Sequence, residues 1–403
     1  MNALYSPEGK QICCGLSWGA FQTLTTTYAS EVVPVTLRPY LTTYVNLCWV
    51  IGQFLASGVL KGISGVEGPP AYRIPYGLQW LWPVPLIIGI YLAPESPWWL
   101  VRKNRIADAK KQLVRLTSVK ESFNPDETIN MMVYTTEFEK EHTSHARYWD
   151  CFKGVNLRRT EAVCAVWAIQ TLCGSPSIVG FSTYFFLQAG LADSAAFSMS
   201  LGTYALGAVG TFVSWVLLSR FGRRTLYFWG QVGMILLMLA IGFCGFSSNS
   251  AAQWAIGALV LVYTFVYDAT VGPVCYSLVS ELSSTRLRNK TVVLARICFN
   301  LTGLAANSLT PQMLNPSAWN WGAKTALFWA GSCTLCALWT YFRLPEPKGR
   351  TFVEMDMLFE SGVSARKFAT TDVSALAARS ASVAVEAQFH AKTEKAERVE
   401  QVA

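Results

Sequence analysis

Residues 226–246 read LYFWGQVGMILLMLAIGFCGF, an unbroken run without a charged side chain. The hydrocarbon core of a bilayer is about 30 Å thick, and a helix needs about 20 mostly apolar residues to cross it. Residues 226–246 meet that length and composition. They therefore predict a membrane-spanning helix and set the standard against which the rest of the chain is compared.

The same standard identifies further stretches on both sides of this one. The nine predicted spans are 11–30, 40–60, 75–93, 161–188, 196–219, 226–246, 252–277, 291–311 and 323–343. Several contain Gly and Pro, which membrane helices tolerate better than soluble helices do. The first span is the weakest, because its centre is rich in Thr.

The composition of the whole chain agrees with a membrane protein. Of 403 residues, 52% are hydrophobic and 14% are charged, whereas a soluble domain carries about 25% charged residues. The charge is too sparse to cover a water-exposed surface of this length. These values exclude a soluble enzyme, a disordered protein and a disulfide-stapled secreted domain, and they predict an all-α polytopic membrane protein.

The positive charge gives the orientation. Lys and Arg are dense in 94–160 and recur after the spans ending at 219, 277 and 343, while the loops 189–195, 247–251 and 312–322 contain none. Cytoplasmic loops retain Lys and Arg, so 94–160 and the C-terminus are predicted to be cytoplasmic and the N-terminus to face outward. The net charge of +8 is thereby explained without nucleic-acid binding.

The same pattern predicts the domain organisation. Residues 1–93 form three spans, 94–160 a cytoplasmic helical linker, 161–345 a six-helix half, and 346–403 a cytoplasmic tail that is disordered from about 360. Within the linker, 104–120 has the apolar spacing of an amphipathic helix. A second helix is expected after Asn124, which is a plausible cap.

Charged motifs border the cytoplasmic ends of the spans. Opposite charges there can pair across helix bundles, hold the inner side closed in one state and separate in another. The alternative is that they are topology signals and helix caps. The candidate gate residues are Glu31, Arg38, Glu95, Arg223, Arg224, Glu281, Arg288, Glu346 and Arg350.

Motifs in this order resemble the sugar porter family of the major facilitator superfamily. The relevant stretches are PESPWWL (94–100), GRR (222–224) and PEPKGRT (345–351). Three others resemble the fungal α-glucoside, maltose-type proton symporters: QTLTTTYASEVVPVTLR (22–38), YDATVGPVCYSLVSELSSTRLRNKTVVLAR (267–296) and LNPSAWNWGAK (314–324). The resemblance covers about residues 11–360.

The resemblance implies a fold of twelve helices, six in each half, joined by a cytoplasmic helical segment. Counting from that segment, the nine spans correspond to family helices four to twelve, so an N-terminally truncated porter is expected. Two positions depart from the family pattern. Ser219 stands where many relatives have Asp, and Trp98 stands where a basic residue is common.

Amide side chains inside the spans are candidates for binding a sugar, because amides are costly in lipid and are expected to face the bundle interior. Asn46 and Gln53 are seven residues apart, as are Asn300 and Asn307, and Gln170 lies in another span. The resemblance places Asn46, Gln170 and Tyr276 at or near sugar contacts. It also matches Gly174 to a family glycine, which makes Gly174 a further candidate for the sugar site. Hydrogen bonding between helices is the alternative role.

Asp268 is a carboxylate in the middle of a predicted span, just before Gly272-Pro273, where the helix is expected to break. An intramembrane carboxylate is by default a functional candidate, as a proton relay or a substrate acceptor. Its alternative role is to be the structural partner of a hydroxyl or amide on a neighbouring helix.

The sequence contains few residues or motifs that are typical of a catalytic site. It has three His, no Gly-rich phosphate loop and no plausible triad, and the CxxC at 333–336 lies inside a span without companion ligands. Neither a metal nor a cofactor is expected.

The predicted function is secondary active transport of α-glucosides such as maltose together with protons, by a monomer in the lipid bilayer of the plasma membrane. The alternative is a non-transporting, sensor-like relative or an inactive transporter fragment.

Overall fold

The structure is a computed structural model, and it describes most of the chain between residues 38 and 373. The described ranges are 38–63, 65–117, 124–143, 147–188, 190–247, 249–284, 287–350 and 352–373, with isolated residues 15, 19, 21, 24, 28, 31 and 32. The predicted span 11–30 therefore lies largely outside the described residues.

Helices make up nearly all of the described part. In chain order they are α1 (Arg38–Ile63), α2 (Pro70–Leu78), α3 (Pro83–Leu92), α4 (Pro97–Arg102), α5 (Ile106–Leu116), α6 (Pro125–Thr143), α7 (Gly154–Leu172), α8 (Ser182–Gln188), α9 (Asp193–Arg220), α10 (Arg223–Cys244), α11 (Ser250–Ala269), α12 (Val271–Leu282), α13 (Arg288–Leu314), α14 (Thr325–Arg343) and α15 (Phe352–Glu360). Short 3₁₀ segments span Gln79–Leu81, Tyr148–Phe152, Gly322–Lys324 and Ala365–Lys367, and a π-helical turn spans Pro176–Gly180.

Within the described residues, six helical stretches are long and apolar enough to cross a membrane. They are Thr43–Ile63, Gly154–Gly180, Asp193–Arg220, Arg223–Cys244, Ser250–Leu282 and Arg288–Leu314. These six correspond to predicted spans, and α14 covers most of the predicted span 323–343.

The predicted span 75–93 differs from a single helix. It consists of α2, one 3₁₀ turn and α3. Pro75 lies inside α2, and Pro83 begins α3. Because proline lacks a backbone N–H and its ring crowds the preceding turn, these residues interrupt the hydrogen-bond ladder that one continuous helix would need.

Helices α4, α5 and α6, which belong to the predicted linker, form a small cluster of their own. Its buried side chains include Leu100, Leu113 and Met132. The predicted amphipathic helix is confirmed as α5, and the Asn124 side chain accepts a hydrogen bond from the backbone N–H of Asp126 at 3.1 Å. That bond satisfies one of the free N–H groups at the start of α6.

Helices α7 to α14 share one apolar core. Its large buried side chains include Trp329, Tyr227, Tyr263 and Phe185. Helix α1 packs against α9 and α12, and the Trp215 indole N–H on α9 donates to the Thr43 hydroxyl on α1 at 2.8 Å. Helix α1 thus joins the first part of the chain to the six-helix half.

The chain after the last span folds back onto the six-helix half. Arg159 at the start of α7 pairs with Asp356 on α15, and the Phe359 and Phe368 rings lie 4.9 Å apart. Arg158 donates to the Val363 carbonyl at 2.8 Å. Of the tail that was predicted to be disordered, residues 361–373 pack against the six-helix half. Residues 374–403 lie outside the described residues.

Replacing Phe368 by Ala should destabilise the protein by about 3 kcal/mol, because a fully buried aromatic ring would be lost and leave a cavity. The thermal midpoint of the purified protein measures this. Phe243→Ala is the matched control, since that ring is 65% exposed on a membrane helix. Equal midpoints for the two variants would contradict the packing described for the tail.

Candidate functional site

A buried carboxylate lies where α1, α9 and α11 meet. Asp268 is on the last turn of α11 and is 3% exposed. The Asn46 side chain amide of α1 donates to Asp268 Oδ1 at 2.9 Å and also reaches Thr211 Oγ1 on α9 at 3.4 Å. The structure thus brings together two of the predicted site residues from separate parts of the chain.

Two glycines on α9 allow this approach. A Cβ atom at Gly207 would overlap the Asp268 carboxylate and lie 3.2 Å from Val50 Cγ1. A Cβ at Gly210 would lie 2.8 Å from the Phe265 carbonyl oxygen. Small residues let membrane helices approach closely, so these positions set the depth at which α9 meets α11.

The helix breaks beside Asp268 at Thr270, and Gly272-Pro273, where the break was expected, lie in the first turn of α12. Helix α11 ends at Ala269 and α12 begins at Val271, with Thr270 between them in a non-helical conformation. The Gln170 amide on α7 donates to the Gly272 carbonyl at 2.8 Å. A Cβ at Gly272 would lie 3.2 Å from Asn46 Oδ1, so Asn46 and Gln170 both meet the broken segment.

Gly174 has a backbone role in the structure. Its φ of +88° lies in the left-handed region that favours glycine, and a Cβ there would lie 2.8 Å from Trp329 Cβ. It follows the end of α7 and precedes the π-helical turn. Nearby, Thr171 donates to the Thr302 hydroxyl at 2.7 Å, which ties α7 to α13.

Tyr276 belongs to a cluster of aromatic side chains around an arginine. Its ring lies edge-on to Trp167 at 5.0 Å. The Arg296 guanidinium lies 4.6 Å from the Trp167 ring centre and 4.4 Å from that of Phe299. Sequence reasoning missed Trp167 and Arg296 as neighbours of Tyr276, although an arginine within a span was a signal that could have pointed to them.

The remaining predicted binding residues lie apart from this centre. Gln53 is half-buried on α1, and Asn300 and Asn307 are exposed on one face of α13. Within the described part of the chain, no hydrogen bond joins these three side chains to Asp268. Their role in binding stays a prediction.

The gate residues of the six-helix half hold helix ends. The Glu346 carboxylate accepts hydrogen bonds from the backbone N–H groups of Arg223 at 2.8 Å and Arg224 at 3.1 Å, at the start of α10. Two residues on, the Lys348 ammonium donates to the carbonyls of Arg220 at 2.8 Å and Ser219 at 3.1 Å, at the end of α9. The segment after α14 therefore binds both helix ends at once.

Side-chain pairs add to these backbone contacts. Arg223 lies 3.2 Å from Glu281, which also accepts from the Ser277 hydroxyl at 2.9 Å. Arg224 donates to the Tyr341 carbonyl at 2.7 Å, and Arg350 donates to the Thr371 carbonyl at 2.7 Å. These contacts lie within the six-helix half and the segment that follows it, as the helix-cap alternative expects.

The other candidate gate residues have separate surroundings. Glu31 pairs with Arg102 and accepts from Ser96 at 2.5 Å, and both of these partners lie in the segment 94–160. Glu95 is exposed and Arg288 is half-buried. The side chain of Arg38 lies outside the described residues, although its backbone begins α1.

The family of the chain is shown by comparison with known proteins. Residues 8–359 match the family model described as sugar (and other) transporter. The chain belongs to this family. It is therefore a multi-pass membrane protein of a transporter family, and the family is not one of enzymes.

Two curated relatives come from Saccharomyces cerevisiae. The general alpha-glucoside permease of strain ATCC 204508 / S288c is 47% identical over 369 residues, which are 90% of this chain and 60% of the relative. Maltose permease MAL61 is 43% identical over 383 residues, 93% of this chain and 62% of the relative. The chain thus spans about 60% of the length of the curated relatives it matches.

Solved structures show the same fold. The proton:xylose symporter XylE bound to 6-bromo-6-deoxy-D-glucose aligns with a TM-score of 0.67 and 18% identity, covering 83% of this chain and 70% of that one. A partially occluded inward open form of XylE from E. coli aligns with a TM-score of 0.65 and 18% identity, covering 81% and 68%. The major facilitator superfamily fold predicted from sequence is confirmed.

Gly207→Ala should destabilise the junction of α9 and α11 by about 1–3 kcal/mol, because the added methyl group collides with the Asp268 carboxylate. Gly331→Ala is the control, since a Cβ there meets nothing within 4 Å. Thermal unfolding of both purified variants tests the packing. A Gly207→Ala midpoint equal to that of the control would show that the carboxylate is not held against α9.

Proposed function

We propose that the chain carries α-glucosides such as maltose together with protons across the plasma membrane, by alternating access and as a monomer. The observation that carries the proposal is the buried hydrogen bond between Asn46 and Asp268. It joins α1 to the six-helix half at the point where α11 and α12 break. A bond in that position has to change if the two parts of the molecule move against each other.

Asp268 has the properties that proton coupling requires. A buried carboxylate inside a membrane span is costly unless it is protonated or hydrogen-bonded. As a carboxylate it accepts the Asn46 N–H, whereas as a carboxylic acid it also acquires a donor. Gain or loss of one proton therefore changes the bond between α1 and α11, which is the kind of local event that biases a two-state element.

The substrate class is inferred from the relatives and from the chemistry of the buried side chains. The relatives are named as permeases for α-glucosides and maltose. A sugar needs amides and hydroxyls for its hydroxyl groups and aromatic side chains for its apolar faces. Asn46, Gln170 and Tyr276 supply these groups near the helix break, and we assign them to sugar binding.

Three further amide side chains and the domain division belong to the same proposal. Gln53, Asn300 and Asn307 are further sugar contacts that are reached in other conformations. We retain the division into 1–93, 94–160, 161–345 and 346–403 as the organisation in which the first and third parts move relative to each other.

Asp268→Asn tests the proposal, because it keeps the size of the side chain and its hydrogen bonding but removes the titrating proton. Uptake of labelled maltose is measured in cells that lack their own permeases, with and without a protonophore. We expect the unsubstituted chain to accumulate maltose and lose that accumulation with the protonophore. The variant should fail to accumulate it under either condition.

Glu67→Gln is the matched control, since it replaces an exposed carboxylate in the loop after α1. It should accumulate maltose as the unsubstituted chain does. Accumulation by Asp268→Asn that still collapses with the protonophore would refute the role of Asp268. Binding of maltose by the purified chain without any uptake would instead support the sensor-like alternative.

A further inference from the structure

Two tryptophan side chains stand side by side in the loop between α13 and α14. Trp319 is 50% exposed and Trp321 is 40% exposed. Their ring centres are 5.2 Å apart and their planes are inclined by 37°. Two large indole rings exposed together at one loop are a contiguous apolar surface outside the site described above.

The loop holds this pair in a fixed position. The backbone N–H of Trp319 donates to the Gln312 carbonyl at 3.1 Å, and that of Trp321 donates to the Met313 carbonyl at 2.8 Å. Between them, Asn320 adopts a left-handed conformation with φ of +53°. The two rings are thereby anchored to the last turn of α13, and a ligand that binds them does not have to order the loop first.

The loop that carries the rings is polar, and its first charged residue after Trp321 is Lys324. Residues 312–323 contain no Lys, Arg, Asp or Glu. In the same segment of the chain, the side chains of Gln312, Asn315 and Asn320 are exposed and offer amide donors and acceptors. Apolar ring faces flanked by neutral amides match a pyranose, whose C–H groups pack on aromatic faces while its hydroxyls form hydrogen bonds. They do not match an ion or a charged peptide.

The position of the loop fits the arrival of a substrate. The absence of Lys and Arg from 312–322 assigns the loop to the outer side of the membrane. Asn307 and Asn300 lie further along α13, seven residues apart and so on one face of the helix. The tryptophan pair therefore stands at the outer end of the helix that carries these two exposed amides.

We propose that Trp319 and Trp321 form an outer platform that binds a glucosyl ring of an α-glucoside before the sugar enters the protein. This inference rests on the proposed function and adds a binding step to it. The platform raises the local concentration of substrate and takes no part in the conformational change. It therefore increases the rate of uptake at low sugar concentration and leaves the maximal rate unchanged.

The test measures the concentration dependence of labelled maltose uptake for Trp319→Ala, Trp321→Ala and the double variant. We expect KM to rise about fivefold in the double variant, with the maximal rate and the amount of protein at the cell surface unchanged. Trp319→Phe, which keeps an aromatic face, should restore most of the affinity. Trp254→Ala is the matched control, because Trp254 is exposed near the outer end of α11 and pairs with no other tryptophan among the described residues.

Each outcome decides between the platform and another role. An unchanged KM in the double variant overturns the platform and leaves the proposed transport function intact. A fall in surface protein at unchanged KM assigns the pair to anchoring at the membrane interface, which also overturns the platform. If the unsubstituted chain shows no uptake, the proposed function fails first and the platform with it.

Discussion

The structure depends on one constraint, which is that a carboxylate within a lipid-embedded bundle must find hydrogen-bond partners inside the protein. Asp268 meets this constraint through Asn46, a residue 222 positions earlier in the chain. Helix α1 is held to the six-helix half through that bond and through the contact between Trp215 and Thr43. Gly207 and Gly210 leave room for the carboxylate and its helix, because a Cβ atom at either position would collide with them.

The break between α11 and α12 lies beside the carboxylate, and a side chain from another helix meets it there. The Gln170 amide on α7 donates to the Gly272 carbonyl in the first turn of α12. A side chain predicted as a sugar ligand therefore contacts the backbone of the broken segment in this conformation.

Much of this fold could be predicted because lipid leaves few alternatives to a helix. Residues 226–246 identified their span from length and charge alone, and Asp268 and Gly272-Pro273 marked the break. The partners could not be predicted, because pairing between Gln170 and Gly272 depends on how distant helices pack and not on spacing. Hydropathy predicts one helix over 75–93, because it does not register the hydrogen bonds that Pro75 and Pro83 remove. The order of the motifs indicated which charged residues border the spans, but their contacts at helix ends depend on how distant segments pack and could not be predicted.

The segment after α14 has a consequence for electrostatics. An α-helix carries a partial positive charge at its N-terminus and a partial negative charge at its C-terminus. Glu346 lies at the positive pole of α10 and Lys348 at the negative pole of α9, so the segment is matched to two opposed macrodipoles by two residues of opposite sign. Exchanging these two residues would leave the net charge of the chain unchanged. It would nevertheless place each charge against a pole of its own sign, so the order of the two charges matters here as much as their presence.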